Sequence, residues 1–250
     1  MPTALSCALL NARATEVRAY LAFLQAALER GTELHARTLP APFALDMELT
    51  HTLKANTYLL LYNVVEATMT QLIADIHRTV KQSGAVLDEL HPQMYLHILQ
   101  RFRTSRVEIN DQSAPVPSGG TIIDHWLRDY EIRAKENKNY QLSGNVDSKR
   151  IREIGRDYGF ASLEEGKDTH LSHASLLTTK NRRNKLAHGE LSFRDCGQTL
   201  AYTDVDSDAN GLLNCLASVV GHVDDYLTRR LYLRVNALPP AAPAPPPPPT

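Results

Sequence analysis

Two side chains that could act together on a phosphodiester stand five positions apart in this chain, Arg183 and His188. An imidazole can take a proton from a ribose 2′-hydroxyl or give one to a leaving oxygen near neutral pH. A guanidinium can hold a phosphate through parallel hydrogen bonds and counter the charge that builds on its oxygens. The pair therefore predicts metal-free cleavage in which the 2′-oxygen attacks the adjacent phosphorus and a 2′,3′-cyclic phosphate remains.

Helical periodicity indicates where Arg183 lies. At roughly 100° per residue, Leu176, Lys180, Arg183 and Ala187 fall on one stripe of a helix. A purely solubilising arginine would lie on the opposite side. We therefore expect Arg183 to face an apolar cleft or an interface.

His188 would point about 140° away from Arg183 if the helix continued unchanged. The helix is therefore predicted to end there, with Gly189 as a left-handed residue just beyond it. Asn184 precedes His188 by four residues, so its amide could fix which imidazole nitrogen carries the proton, or could contact the phosphate.

The motif alone is weak, because basic residues are favoured in the last turn of any helix. On these six residues a chance match at a helix end is the simpler explanation. Arg182 stands beside Arg183, which leaves open which arginine belongs to the motif.

Three further segments carry a resemblance that covers most of the chain. They are 59–67 in an early helix, 144–154 around a second helix start, and 186–193 after the motif. With the motif, their order and spacing resemble the HEPN ribonucleases, and among those the standalone MAE-type HEPN-like nucleases. The proline-rich end of the chain is a departure from that group.

The resemblance implies an all-α, HEPN-like helical bundle with long up-down helices that forms a homodimer. Since one histidine per chain is half of an acid-base pair, two chains would supply both roles. The implied activity is a metal-independent endoribonuclease with no cofactor. Its candidate residues are Arg183, His188 and Asn184 for catalysis, Lys180, Arg182 and Lys185 for the RNA backbone, and Glu66 and Glu190 in support.

The biological setting that the resemblance implies is a toxin or phage-defence effector, silenced by a cognate antitoxin or another regulatory protein. The main alternative is a non-catalytic HEPN-like module that binds RNA or nucleotides or dimerises. A metal hydrolase ranks last because no ligand cluster is visible; His170 and His173 form only an isolated pair.

Charge and cysteine usage restrict the class of protein. Twenty-seven basic and 28 acidic residues give a net charge of −1, so no global basic field attracts nucleic acid. Local basic runs at 101–106, 149–156 and 180–185 are more often solvated helix faces than binding surfaces. Three widely spaced cysteines argue against a disulfide framework and favour the cytoplasm. No secretory leader or membrane span is expected.

Periodicity and caps predict helices at 8–30, 46–82, 87–102 with a break at Pro92, 122–135, 148–158, 170–188 and 204–235. Residues 193–197 are predicted to be irregular, and no strand is expected. Glu66 lies on the apolar stripe of the second helix and so needs a partner, either as a brace for an arginine or tyrosine or as the group that orients Arg183. We expect one domain over 1–237 and a disordered tail over 238–250.

Overall fold

The structure, a computed structural model, describes residues 5–28, 32–35, 41–104, 119–135, 142, 145–160 and 170–234, with the backbone alone at 104, 119–121, 133–135 and 170–173. This part of the chain is almost entirely helical. Its helices are α1 (Leu5–Ala27), α2 (Met47–Ser83), α3 (Pro92–Thr104), α4 (Gly119–Lys135), α5 (Ser148–Tyr158), α6 (His170–Ala187), α7 (Phe193–Gln198) and α8 (Tyr202–Thr228). The predicted all-α class is confirmed.

Helix α2 is the spine of the bundle, with 37 residues and a length of about 55 Å. Asp46 caps its start by accepting a hydrogen bond from the Leu49 N–H at 2.8 Å. Gly84 ends it in the left-handed conformation, with φ 66°. Both ends agree with the prediction within one residue.

Helices α1, α6, α7 and α8 all pack on α2, and α6 also packs on α8. The second helix, the motif helix and the final helix thus pack on one another. Helix α1 runs antiparallel to α2, since the Ser6 N–H binds Asp75 near one end and the Tyr20 hydroxyl binds the Leu53 carbonyl near the other. The shared core includes Val17, Leu24, Leu61, Leu72, Ile73, Leu212, Leu216 and Val219.

Helices α3, α4 and α5 gather around a buried histidine, His77, near the C-terminal end of α2. His77 Nε2 lies 2.8 Å from the Tyr158 hydroxyl, and Trp126 and Tyr130 pack edge-on against its ring. Burial lowers the pKa of His77 to about 3 and that of the neighbouring His97 to about 4. Both rings are therefore neutral in the folded protein at neutral pH.

Several predicted boundaries were wrong. Residues 193–197 belong to α7, whose start is capped by Ser192 through the Asp195 N–H. Helix α8 stops at Thr228, before the predicted end at 235, and Arg230 just beyond it takes a left-handed conformation with φ 56°. The chain then turns back toward the start of α3, where Leu233 pairs with Leu90.

Two short strands were not predicted: β1 (Glu33–Leu34) and β2 (Phe43–Ala44) pair antiparallel between α1 and α2. A short 3-10 turn, Leu87–Glu89, stands where the third helix was expected to start. The predicted loop over 104–120 and the tail over 238–250 lie largely or wholly outside the described residues.

Gly197 allows α7 to touch the backbone of α2. A Cβ atom at this position would lie 1.8 Å from the His51 carbonyl oxygen. Gly197→Ala should therefore lower the free energy of unfolding by about 3 kcal/mol, because two backbones must separate. Gly221→Ala in α8 is the matched control, since nothing lies within 4 Å of its Cβ, and it should stabilise by about 0.5 kcal/mol or more. Urea unfolding measures both, and equal effects would contradict the close contact.

The buried histidines predict sensitivity to acid. Since their pKa values fall below the ordinary 6.5, the unfolded chain binds more protons below that pH. The stabilisation that the two neutral buried imidazoles provide is fully present above pH 6.5 and is lost as the pH falls toward 4. When the pH is lowered from 7 to 5, each of the two histidines should lower the free energy of unfolding by about 2 kcal/mol. His77→Gln should unfold more easily at pH 7 yet lose less stability on acidification; a pH dependence equal to that of the wild type would refute this assignment.

Candidate functional site

Helix α6 ends at the predicted place and by a defined pattern of hydrogen bonds. The Glu190 N–H binds the Lys185 carbonyl at 2.9 Å, and the Gly189 N–H binds the Leu186 carbonyl at 3.3 Å. Gly189 has φ 72°, so this is a Schellman ending. His188 is the last residue before the turn, and its side chain is exposed.

The Arg183 guanidinium lies against α2. Its central carbon sits 4.3 Å from the centre of the Tyr62 ring, and Nη2 lies 3.8 Å from Glu66 Oε1. Burial raises the pKa of Tyr62 to about 12. The structure therefore gives Glu66 a basic partner, as its place on α2 predicted, and the guanidinium is held while a quarter of the side chain remains exposed.

The stripe predicted for α6 holds only in part. Leu176 is buried and Arg183 faces α2, but Ala187 is exposed. The buried side chains in the described part of α6 are Ser175, Leu176, Thr179 and Leu186. The buried face of α6 is therefore rotated from the predicted stripe, because the helix packs on α2 and α8 at once.

Asn184 contacts Arg183 rather than His188. Its Oδ1 accepts a hydrogen bond from Arg183 Nη1 at 2.9 Å, and its Nδ2 donates to Asn145 Oδ1 at 2.9 Å. The side-chain amide of Asn184 therefore does not bind the imidazole of His188 in the same chain, although that contact was expected. Asn184 instead positions the guanidinium.

The segment before α5 connects α2 and α6. The Val146 N–H binds the Tyr62 hydroxyl at 3.0 Å, and Lys180 Nζ binds Asp147 Oδ2 at 2.6 Å. Asp147 also caps α5 through the Arg150 N–H. Although burial acts to raise it, these hydrogen bonds hold the pKa of Asp147 below its usual value. The contact of Asp147 with Lys180 joins residues 33 positions apart and was not predicted.

The guanidinium of Arg182 has its partners, Tyr58 and Asp208, within the same chain. It stacks on the Tyr58 ring with 4.6 Å from its central carbon to the ring centre, donates to the Tyr58 hydroxyl, and lies 3.8 Å from Asp208. The same hydroxyl donates to Asp208 at 2.8 Å. Burial raises the pKa of Asp208. Arg182 thereby braces α6 against α2 and α8.

The remaining predicted site residues lie at the surface. Lys185, His188 and Glu190 are all exposed, and no ion pair joins Lys185 to any other residue in the described part. Among the described contacts, Arg183 points to α2 while His188 projects from the end of α6. One chain therefore brings Arg183, Asn184 and Glu66 together and leaves His188 on an open surface.

Metal ligands do not gather in the described part of the chain, where no three His, Cys, Asp or Glu side chains could hold one ion. The side chains of His170 and His173 lie outside the described residues. The three cysteines are free thiols. None of the described helices combines the length and apolar character needed to cross a bilayer.

A comparison with protein-family models matches residues 4–232 to the family described as MAE_28990-like HEPN. The match spans every helix from α1 to α8. The resemblance found in the sequence and the all-α bundle it implied are thus confirmed. No curated protein and no solved structure matches the chain.

The different surroundings of Arg182 and Lys185 make a testable distinction. Arg182→Ala should lower the free energy of unfolding by about 2 kcal/mol, because it leaves the half-buried Asp208 carboxylate without its cation and bares the Tyr58 ring. Lys185→Ala should change stability by less than about 0.5 kcal/mol. Urea unfolding at pH 7 measures both. A small effect of Arg182→Ala would contradict its role as a brace.

Proposed function

Since the chain belongs to the MAE_28990-like HEPN family, we propose that it is a metal-independent endoribonuclease that works as a homodimer. The observation that carries the proposal is a restrained guanidinium, Arg183, on the same helix end as an exposed imidazole, His188. These are the two groups that cleavage by a 2′-hydroxyl requires.

Arg183 would bind the scissile phosphate. Tyr62, Glu66 and Asn184 hold its guanidinium from the bundle side. Because the side chain of Arg183 is already held, it loses less conformational entropy when it binds a phosphate, and the direction of its N–H groups is fixed. Its charge can then stabilise the charge that develops on the phosphoryl oxygens in the transition state.

His188 would move the protons. One imidazole accepts the proton of the 2′-hydroxyl as its oxygen bonds to phosphorus, and an imidazolium protonates the 5′-oxygen as the P–O bond breaks. The products are a 2′,3′-cyclic phosphate and a 5′-hydroxyl. Because one chain carries one His188, two roles require two chains, which is why the proposal includes a dimer with this exposed residue at its interface.

Other residues take supporting parts in the proposal. Asn184 acts through Arg183, and Asn145 acts through Asn184, so both are positioning residues. Lys185 lies exposed beside the site and suits a contact with the RNA backbone. Lys180 and Arg182 would reach RNA only by exchanging their present partners.

We also propose, from the family, the domain bounds, the cellular compartment and the biological role of the protein. We take residues 1–237 as one domain and 238–250 as a separate tail, and we place the protein in the cytoplasm. A toxin or phage-defence role, restrained by a partner protein, fits an RNA-cutting activity that a cell must control.

A non-catalytic RNA-binding or dimerising module is the second candidate. One observation favours it: Lys180, Arg182 and Arg183 all have partners within the chain. In that case the motif would serve the stability of α6, and His188 would have no chemical task.

Cleavage of RNA in excess chelator tests the proposal. The wild type should produce fragments that end in a 2′,3′-cyclic phosphate, and His188→Ala and Arg183→Ala should each lower the rate by about 100-fold or more. His35→Ala and Arg229→Ala are matched controls, since both side chains are exposed and lie outside the site. Both controls should cut at the wild-type rate.

Circular dichroism and thermal unfolding establish that each variant keeps its fold. If no protein cuts but all bind RNA, the second candidate replaces the nuclease. If every variant cuts equally, Arg183 and His188 are not the catalytic pair.

A further inference from the structure

Helix α5 carries an unusual concentration of positive charge beside the candidate site. Its 11 residues include Lys149, Arg150, Arg152 and Arg156 against two acidic residues, in a chain of net charge −1. Like charges so close on one helix repel each other. Such an arrangement is stabilised when acidic side chains or an anionic ligand lie beside it.

The structure separates these cations into two groups. Arg150 pairs with Glu153 at 2.8 Å. The three others lie together on the side away from the buried Ile151 and Ile154, at about 100° to 160° around the helix axis from Ile151. We call this set, Lys149, Arg152 and Arg156, the α5 stripe. None of its members has an ion pair within the described part of the chain.

Some exposed cations elsewhere on the described surface have carboxylate partners. Arg13 pairs with Glu16 at 2.7 Å, Arg194 with Glu48 at 3.0 Å and Arg229 with Asp225 at 3.2 Å. Others, such as Arg18 and Lys185, are exposed and have no ion pair within the described part. The α5 stripe is therefore distinguished by three cations within eight residues of one helix rather than by the absence of partners.

The α5 stripe adjoins the candidate site. Two residues before Lys149, Asp147 binds Lys180 of the motif helix, and Asn145 binds Asn184. From Lys149 to Arg156 the stripe extends about 10 Å along α5. A chain molecule bound at Arg183 could therefore continue along it.

The chemistry of the α5 stripe favours a polyanion held by charge. No large apolar side chain of α5 is exposed, whereas a protein partner would ordinarily need an apolar or aromatic anchor at the centre of the contact. A phosphate backbone is satisfied by Lys and Arg alone. Arginine adds bidentate bonds to phosphate oxygens.

We propose that the α5 stripe binds the sugar-phosphate backbone of the RNA segment that flanks the scissile bond. The proposal rests on the proposed function for the identity of the ligand. It assigns to Lys149, Arg152 and Arg156 a share in substrate affinity and no share in the chemical step. Because phosphate contacts carry no base information, they favour longer RNA without regard to sequence.

Binding of an uncleavable RNA tests the stripe separately from catalysis. The probe is a fluorescent 12-nucleotide RNA with 2′-O-methyl groups, which lacks the attacking hydroxyl, and the readout is anisotropy between 50 and 200 mM salt. The triple variant Lys149→Ala, Arg152→Ala, Arg156→Ala should bind at least about tenfold more weakly. Its slope of log affinity against log salt should fall by about 2, at roughly 0.7 per lost contact.

A matched triple variant removes three cations elsewhere: Arg13→Ala, Arg194→Ala and Arg229→Ala. It should bind almost as the wild type does. On long RNA the stripe variant should raise KM and leave kcat unchanged, and on a trinucleotide it should behave as the wild type.

Failure of this proposal and failure of the nuclease proposal give different results. If the wild type cuts RNA but both triple variants bind the probe alike, or the wild type does not bind it, the stripe proposal is overturned and the nuclease stands. If no protein cuts RNA but only the stripe variant loses binding, the stripe proposal is supported and the protein is a non-catalytic RNA binder. A lower kcat on the trinucleotide would also overturn the stripe, because it would place these residues in the chemical step.

Discussion

Two arginines of α6 lie on two tyrosines of α2, and the candidate site depends on that contact. Arg182 stacks on Tyr58 and Arg183 on Tyr62. The tyrosines are four residues apart, so they stand one turn above each other on the same face of α2. Each buried hydroxyl binds a further element: Asp208 of α8 for Tyr58 and the Val146 N–H before α5 for Tyr62. One paired contact thus joins four segments of the chain.

Local signals predicted much of this structure. The ends of α2, α5 and α6 lie within one residue of the predicted ends. Caps and glycines that act on their own neighbours set them: Asp46 with Gly84, Asp147 with Gly159, and Gly189. What failed depended on distant contacts. The end of α8 is set by a return of the chain to Leu90, and α7 forms where Gly197 lets it rest on the α2 backbone. No periodicity within those segments reports such contacts.

The site shows the same division. A carboxylate on an apolar stripe indicated that Glu66 needs a partner, and Arg183 lies beside it. The sequence could not separate the neighbouring arginines, since one residue of rotation on α6 decides which meets Tyr58 and Asp208 and which meets Tyr62 and Glu66. It also missed Asn145, whose link to Asn184 joins residues 39 positions apart. Packing against two helices at once sets that rotation.

The return of the chain after α8 fixes the position of Arg234, the last described residue. Main-chain hydrogen bonds from His91 to Tyr232 and from Arg234 to Glu89 fasten this last described segment to the start of α3. That end of the bundle lies past His77 on α2, roughly 20 Å along the helix from Tyr62. A reporter group attached at Arg234 would thus be held away from the contact of Arg183 with Tyr62, which makes this residue a suitable point for surface immobilisation.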